Sequence, residues 1–279
     1  MPANEDQIKF WNEKAGQDWT MLQERMDANL AAIGDAVLAF AAARPGETVL
    51  DVGCGTGFTS LALARAGAKV TGLDVSKPML GLARSRAIQA GLDINFIEAD
   101  ASAYAFKPEY DLIFSRFGVM FFDDPIGAFA NLHKALKPGG RLAFVCWRTA
   151  PENLWAFAPL AAAKPLLPEQ PPPDPNAPGP FAFADPQRVL SILTDTGFHD
   201  VETRPYDGVM RMGTDIATIA AQTLQIGPLS RAVGEADDAT KGKIVEAVRA
   251  AMEKFRTPDG EIAPPTACWL VSARKEQKA

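Results

Sequence analysis

Apolar and polar positions follow two rhythms along this chain, and each stretch declares which one it keeps. Between Asp27 and Phe40 the apolar residues Leu30, Ile33, Val37, Leu38 and Phe40 recur at helical spacing. Residues 1–45 therefore read as helical up to the stop at Arg44, Pro45 and Gly46. Thr48–Val52 is a short β-branched run that ends in glycines, and a helix is predicted behind it over Thr56–Ala66. A second strand is predicted over Lys69–Asp74. Ser76 as cap and Pro78 in the first turn predict a helix over Lys77–Ala90. Strands follow at Ile94–Ile97, Tyr110–Ser115 and Arg141–Trp147, the last preceded by a helix over Pro125–Leu136. Strand–helix–strand units with short glycine-rich links predict a parallel sheet with helices on both faces.

After residue 150 this rhythm breaks. The segment Pro165–Pro180 holds eight of the 22 prolines, which excludes regular helix and central strand. It reads either as a surface linker or as a semi-rigid flap over a pocket. The most apolar stretch, Leu154–Leu167, is interrupted by Pro159, Lys164 and Pro165 and is too short to span a bilayer. A helix over Asp185–Thr196 and a strand over Val201–Tyr206 resume the pattern. A helical block is predicted at about 214–256, where Ile244, Val248, Met252 and Phe255 form a stripe suited to core or dimer packing. Ala267–Ala273 is a good final strand, and no internal repeat is evident.

Composition narrows the class. The chain has 279 residues, 47% hydrophobic and 22% charged, as in a globular domain with room for an accessory part. The net charge of −6 and the lack of a basic patch argue against a nucleic-acid partner. Cys54, Cys146 and Cys268 are odd in number and unpaired in spacing. That argues against a disulfide framework or a cysteine zinc site and fits a reducing compartment. The opening MPANEDQIKFWNEKAG has no apolar core for a signal sequence, so the expected location is cytoplasmic, without integral membrane contact.

The most informative stretch is VLDVGCGTGF, residues 49–58, lying between a strand and a helix. A dinucleotide fold wants G-x-G-x-x-G there so that a pyrophosphate can sit on the helix N-terminus. Here Gly53, Gly55 and Gly57 are followed by Phe58 where that pattern needs Gly or Ala, and a P-loop's Gly-Lys-Ser/Thr is absent. Asp51 is awkward beside a pyrophosphate but suits a ligand with an ammonium and a sulfonium. S-adenosylmethionine has both and no phosphate. The glycines then let the backbone approach the ligand without Cβ atoms in the way. Asp74, 21 residues beyond Gly53, fits beside ribose hydroxyls in either kind of fold.

LDVGCGTG, GLDVS, EADA, YDLIFSRFGVMFF and LKPGGRLAFV resemble successive motifs of class I S-adenosylmethionine-dependent methyltransferases, and among them the type 11 ubiquinone/menaquinone C-methyltransferase-like group. The likeness is strong over 45–148 and looser over WNEKAGQDW and the closing strand. It implies an α/β, Rossmann-like, doubly wound sheet of seven strands in the order 3-2-1-4-5-7-6, the last antiparallel. It also implies a single domain: an N-terminal helical cap (1–45), a cofactor-binding core (46–148), a Pro-rich insert (149–184) and a C-terminal part (185–279) carrying the helical insertion. The implied roles are these. Asp51 and the loop Gly53, Cys54, Gly55 and Gly57 hold the methionine part, and Asp74 holds the ribose. Val75 and Met79 lie against adenine, Asp100 and Ala101 contact its edge, and Ser115 and Arg116 face the reacting methyl.

Methyl transfer from a sulfonium is an in-line displacement that asks mainly for alignment and exclusion of water. A strong base is optional, and none stands out. His133 sits in a helix before the fifth strand and His199 before an edge strand, so both read as packing or surface residues. Phe10, Trp11, Trp19, Phe117, Met120 and Trp147 are either plain core or the walls of a pocket for an apolar or aromatic acceptor. Arg116 is either a solvated turn residue or a partner for an anionic acceptor, the cofactor carboxylate, or Asp123 and Asp124. Asp123-Asp124 before Pro125 reads as a helix cap rather than a metal pair, and no metal is expected. The favoured reading is a methyltransferase that uses S-adenosylmethionine and releases S-adenosylhomocysteine, acting on a small molecule, with a homodimer open. The competitors are an NAD(P)-dependent oxidoreductase and a non-catalytic S-adenosylmethionine-binding regulator.

Overall fold

The structure is a computed structural model, and it describes residues 4–169, 174–234 and 236–277. The N-terminal segment forms α1 (Glu5–Asn12), α2 (Lys14–Met21) and α3 (Gln23–Ala41). Then come β1 (Thr48–Val52), α4 (Phe58–Arg65), β2 (Lys69–Asp74), α5 (Lys77–Gln89), β3 (Asn95–Glu98) and β4 (Tyr110–Arg116). The next elements are α6 (Pro125–Ala135), β5 (Leu136–Trp147), α7 (Leu154–Ala163), α8 (Pro186–Asp195) and β6 (His199–Val209). The chain ends with α9 (Ile216–Gln222), α10 (Pro228–Val233), α11 (Asp238–Met252) and β7 (Pro265–Arg274).

The strands form one seven-stranded sheet in the order β3-β2-β1-β4-β5-β7-β6. The first five are mutually parallel, and β7 runs antiparallel to both β5 and β6. Central strands covered on both faces read as continuous apolar runs, and Leu112, Ile113, Phe114, Phe144 and Val145 are fully buried. β6 instead alternates half-buried with exposed positions and carries Pro205, as only an edge strand tolerates. Between β4 and β5 the register shifts at Tyr110/Leu112, because β5 begins directly at Leu136 and absorbs Lys137-Pro138-Gly139-Gly140. The sequence pattern instead predicts that run as the link between a helix and a strand starting at Arg141.

Leu154–Ala163 is helical despite Pro159. It packs with α9, α10 and α11 around a second apolar cluster that includes Ala163, Ile219, Leu229, Ile244, Val248 and Met252. The insert and the later helical block, separate in sequence, thus share one core. The stripe on α11 faces that core, so it is not a dimer seam. The Pro-rich segment is irregular where described, and residues 170–173 of the expected flap lie outside the described residues. Among the described residues no helix is long and apolar enough to cross a membrane.

Candidate functional site

Five parallel strands end at the same edge of the sheet, where ligands bind in open α/β folds. A cavity of about 1400 Å³ opens there. Its floor is the loop after β1 and the ends of β2, β4 and β5; its roof comes from α1 to α3, α7, α9 and α10.

The loop after β1 is built for close approach. Gly53, Gly55 and Gly57 have φ of 65°, 55° and 84°, a region that L side chains rarely adopt. A Cβ on Gly53 would stand 2.7 Å from Gly118 Cα, and one on Gly55 would stand 2.8 Å from Met79 Cε. Gly53 and Cys54 N–H both donate to Leu73 O, which pins the loop to β2. Asp74 accepts from Gly55 N–H and Ser76 N–H, each at 2.8 Å, and burial raises its pKa. Ser76 does not cap α5 with its side chain, as its position suggested. Its hydroxyl donates to Trp11 O at 2.7 Å and fastens the helical roof to the loop.

Asp51 lies beneath this loop with no solvent exposure. Its Oδ2 accepts from Thr59 Oγ1 (2.8 Å) and Ser60 Oγ (2.6 Å), while Oδ1 has no partner. Burial pushes its pKa up to about 6, against the pull of Ser60, Thr59 and the charge of Arg116. Arg116 rests its guanidinium 4.7 Å from the centroid of Phe58, the side chain that broke the dinucleotide pattern. Its Nη1 is buried without a hydrogen bond, burial lowers its pKa, and the charges of Asp27 and Asp51 oppose that. It is not a solvated turn residue, and it pairs with neither Asp123 nor Asp124. Asp124 caps α6 by accepting from Gly127 N–H at 3.0 Å, and Asp123 accepts from Asn4 N–H at 2.9 Å. Asp27 instead holds Arg86 at 2.6 Å, and Arg86 in turn donates to Thr56 O at 2.7 Å.

Of the residues singled out in the sequence, Gly53, Cys54, Gly55, Asp74, Val75, Met79, Asp100, Ala101 and Arg116 line the cavity. So do Phe10, Trp11, Trp19, Phe117, Met120 and Trp147. Three do not. Asp51 and Gly57 lie behind the loop, Gly57 serving as the N-cap of α4. Ser115 is also excluded, contrary to the expectation that it faces the cavity. Its buried hydroxyl donates to Val52 O at 2.8 Å and accepts from Gly118 N–H at 3.1 Å, tying β4 to the loop. His133 packs against Phe198 with centroids 4.9 Å apart, and His199 lies beside Asp200; neither lines the cavity.

The aromatic residues form a connected wall. Phe117, held at φ 62°, stacks on Trp147 with centroids 4.1 Å apart and planes 9° from parallel. Trp147 reaches Trp155 at 4.8 Å, and Trp11 reaches Phe121 at 5.2 Å. Sequence reasoning missed Asn4, whose side chain donates to Asp100 Oδ1 at 3.0 Å. It also missed Trp155, Met212 and Arg231. Trp155 in an apolar run was the only local signal. Among the described residues no three acidic, histidine or cysteine side chains group so as to hold a metal.

A glycine turn over a strand-end acid, an aromatic cavity above the turn and this strand order define a Rossmann-like nucleoside-binding protein. Comparison with known proteins agrees. Residues 49–140 match the model of a family described as a methyltransferase domain. An uncharacterised protein of Mycobacterium tuberculosis is 35% identical over 150 residues, 52% of this chain and 54% of its own. This chain thus spans about half the length of the mycobacterial relatives it matches. The ubiquinone biosynthesis O-methyltransferase of Vibrio cholerae is 30% identical over 179 residues, 61% of this chain and 71% of its own. Among solved structures, the YcgJ protein of Bacillus subtilis superposes with a TM-score of 0.58 at 17% identity, covering 88% of this chain and 98% of that one. A Haemonchus contortus phosphoethanolamine N-methyltransferase in complex with S-adenosylhomocysteine gives 0.54 at 20%, covering 88% and 53%. The chain belongs to the class I S-adenosylmethionine-dependent methyltransferases.

Proposed function

We propose that this protein transfers the methyl group of S-adenosylmethionine to a small acceptor with an apolar or aromatic body. The observation that carries the reading is the aromatic cavity set directly on the glycine turn. The residues present fit the donor. Gly53 and Gly55 leave a cradle that a Cβ would fill. Two buried polar atoms of opposite charge, Asp51 Oδ1 and Arg116 Nη1, lack protein partners. Asp51 would favour the ammonium and Arg116 the carboxylate of an amino-acid moiety. Asp74 and Asp100 would take the ribose and the adenine amino group, and Asn4 would give up its bond to Asp100 or share it.

The donor supplies an electrophilic methyl on a sulfonium. The chain's part is to orient the acceptor and keep water out. The stacked pair Phe117 and Trp147, with Trp11, Trp155 and Phe121, offers flat apolar faces for that purpose. No histidine reaches the cavity, which suits an acceptor that is nucleophilic without help from a base. The buried free thiols Cys54, Cys146 and Cys268 suit a reducing, cytoplasmic setting.

The test is incubation of the protein with methyl-labelled donor and a metabolite extract, read by mass spectrometry, beside calorimetry with S-adenosylhomocysteine. A labelled small molecule is expected. Binding with no labelled product would favour a regulator, and NADH binding in place of S-adenosylhomocysteine would favour an oxidoreductase.

A further inference from the structure

Among the described residues, one arginine in the cavity wall has neither a hydrogen bond nor a nearby opposite charge. Arg231, on α10, lines the cavity with its guanidinium 4.3 Å from the centroid of Phe10. Among the described residues it makes no hydrogen bond or ion pair. The other cavity arginines differ. Arg25 donates to Met212 O at 2.8 Å, and Arg116 sits low on Phe58 beside the charges of Asp27 and Asp51. Elsewhere in the molecule, arginines such as Arg86, Arg141 and Arg148 are matched by acids. Burial lowers the pKa of Arg231, and no acid opposes it. The side chain is nevertheless exposed, and it lines the cavity. An arginine remains charged in such a place.

The placement of Arg231 is set by three segments distant in sequence. Phe10 comes from the N-terminal cap. Gly179, where a Cβ would stand 3.9 Å from Arg231 Nη1, comes from the Pro-rich insert. The helix itself comes from the late insertion. Phe10 covers one face of the guanidinium and leaves the N–H edge to other partners. Lys164 and Glu169 also line the cavity, and neither forms an ion pair with Arg231.

We propose that Arg231 recognises a carboxylate on the acceptor, so that the substrate class is an apolar or aromatic acid. This deepens the methyltransferase reading and rests on it for the word acceptor. A single guanidinium fork matches one carboxylate in bidentate fashion. A phosphate dianion would ask for more donors than one guanidinium offers.

The test uses the full chain saturated with S-adenosylhomocysteine at pH 8. It is titrated with 3-phenylpropanoate and dodecanoate and with their primary amides, binding being read by calorimetry and tryptophan fluorescence. The acids are expected to bind on the order of tenfold more tightly than the amides. In Arg231→Gln that preference disappears while S-adenosylhomocysteine affinity is unchanged, which also shows that the variant is folded. Equal affinity for acid and amide in the wild type overturns the proposal. So does the absence of acid binding at millimolar concentration, or an acid preference that survives Arg231→Gln. Failure of S-adenosylhomocysteine to bind would strike the methyltransferase reading instead; the acid preference and its loss in Arg231→Gln would still be read in the same samples.

Discussion

Asp51→Asn separates what the strand-end acid does for the ligand from what it does to the fold. The wild-type carboxyl is fully buried and ionises near pH 6 rather than 3.8. At ~1.4 kcal/mol for each tenfold in proton affinity, that gap makes ionised Asp51 cost the folded state about 3 kcal/mol. The sign follows from linkage. The folded chain holds this proton more tightly than the unfolded chain, so stability falls as pH rises from 3.8 to 6 and is level above that. Asparagine removes this decline. It also puts an amide N–H where Oδ1 has no partner, at a cost of ~1–3 kcal/mol that does not vary with pH. The informative quantity is therefore the difference in unfolding free energy between variant and wild type, followed by urea denaturation from pH 4 to pH 8. It should shift in favour of the variant by about 2.5 kcal/mol across that range. A difference flat to within ~0.5 kcal/mol would refute the claim that Asp51 is a strained buried charge. On the ligand side, a bound ammonium acting on Asp51 through the loop would favour its ionised form. Wild-type affinity for S-adenosylhomocysteine should fall as pH drops through 6, and Asp51→Asn should lose on the order of tenfold in affinity at pH 8.

Three other outcomes are expected. Gly53→Ala puts a Cβ against the Gly118 backbone at a φ of 65°, so no side-chain rotation relieves it; a loss of about 2–4 kcal/mol in urea denaturation should accompany failure to bind S-adenosylhomocysteine, and wild-type behaviour in both would show that the turn yields. Asn153 is fully buried and exchanges two 3.0 Å hydrogen bonds with the backbone of Ala267, fixing the start of α7. Its change to Ala should cost about 2–4 kcal/mol by denaturation, and a loss under ~0.5 kcal/mol would mean that water replaces the amide. Cys54, Cys146 and Cys268 are buried, and burial pushes their thiols up. A thiol reagent should label all three only in urea, and prompt labelling of any in the native protein would contradict their enclosure.

The alternation of short apolar runs with 3.6-residue stripes specified most strands and helices, because each element's pattern is local. The stretch from Asp51 to Gly57 located the floor of the site for the same reason: a tight turn dictates its glycines wherever it occurs. Local spacing misjudged Ser76, and the resemblance misplaced Ser115. Ser76 stands where a cap belongs, and Ser115 stands just past the centre of β4. Each hydroxyl is instead claimed by a carbonyl 65 or 63 residues earlier. Neither bond leaves a trace in the residues around the serine.

What the sequence determined by itself is the sheet, its ligand-binding edge and the kind of nucleoside that edge favours. Only the tertiary structure decided how the roof of the cavity closes. Asn153 meets Ala267 across 114 residues, Asn4 meets Asp100 across 96, and Phe10 meets Arg231 through a roof assembled from both ends of the chain. The core repeats a period set by hydrogen bonding along the backbone, so it can be read from neighbours. The roof is held by single contacts between distant segments. No period encodes these, and they exist only once the chain has closed on itself.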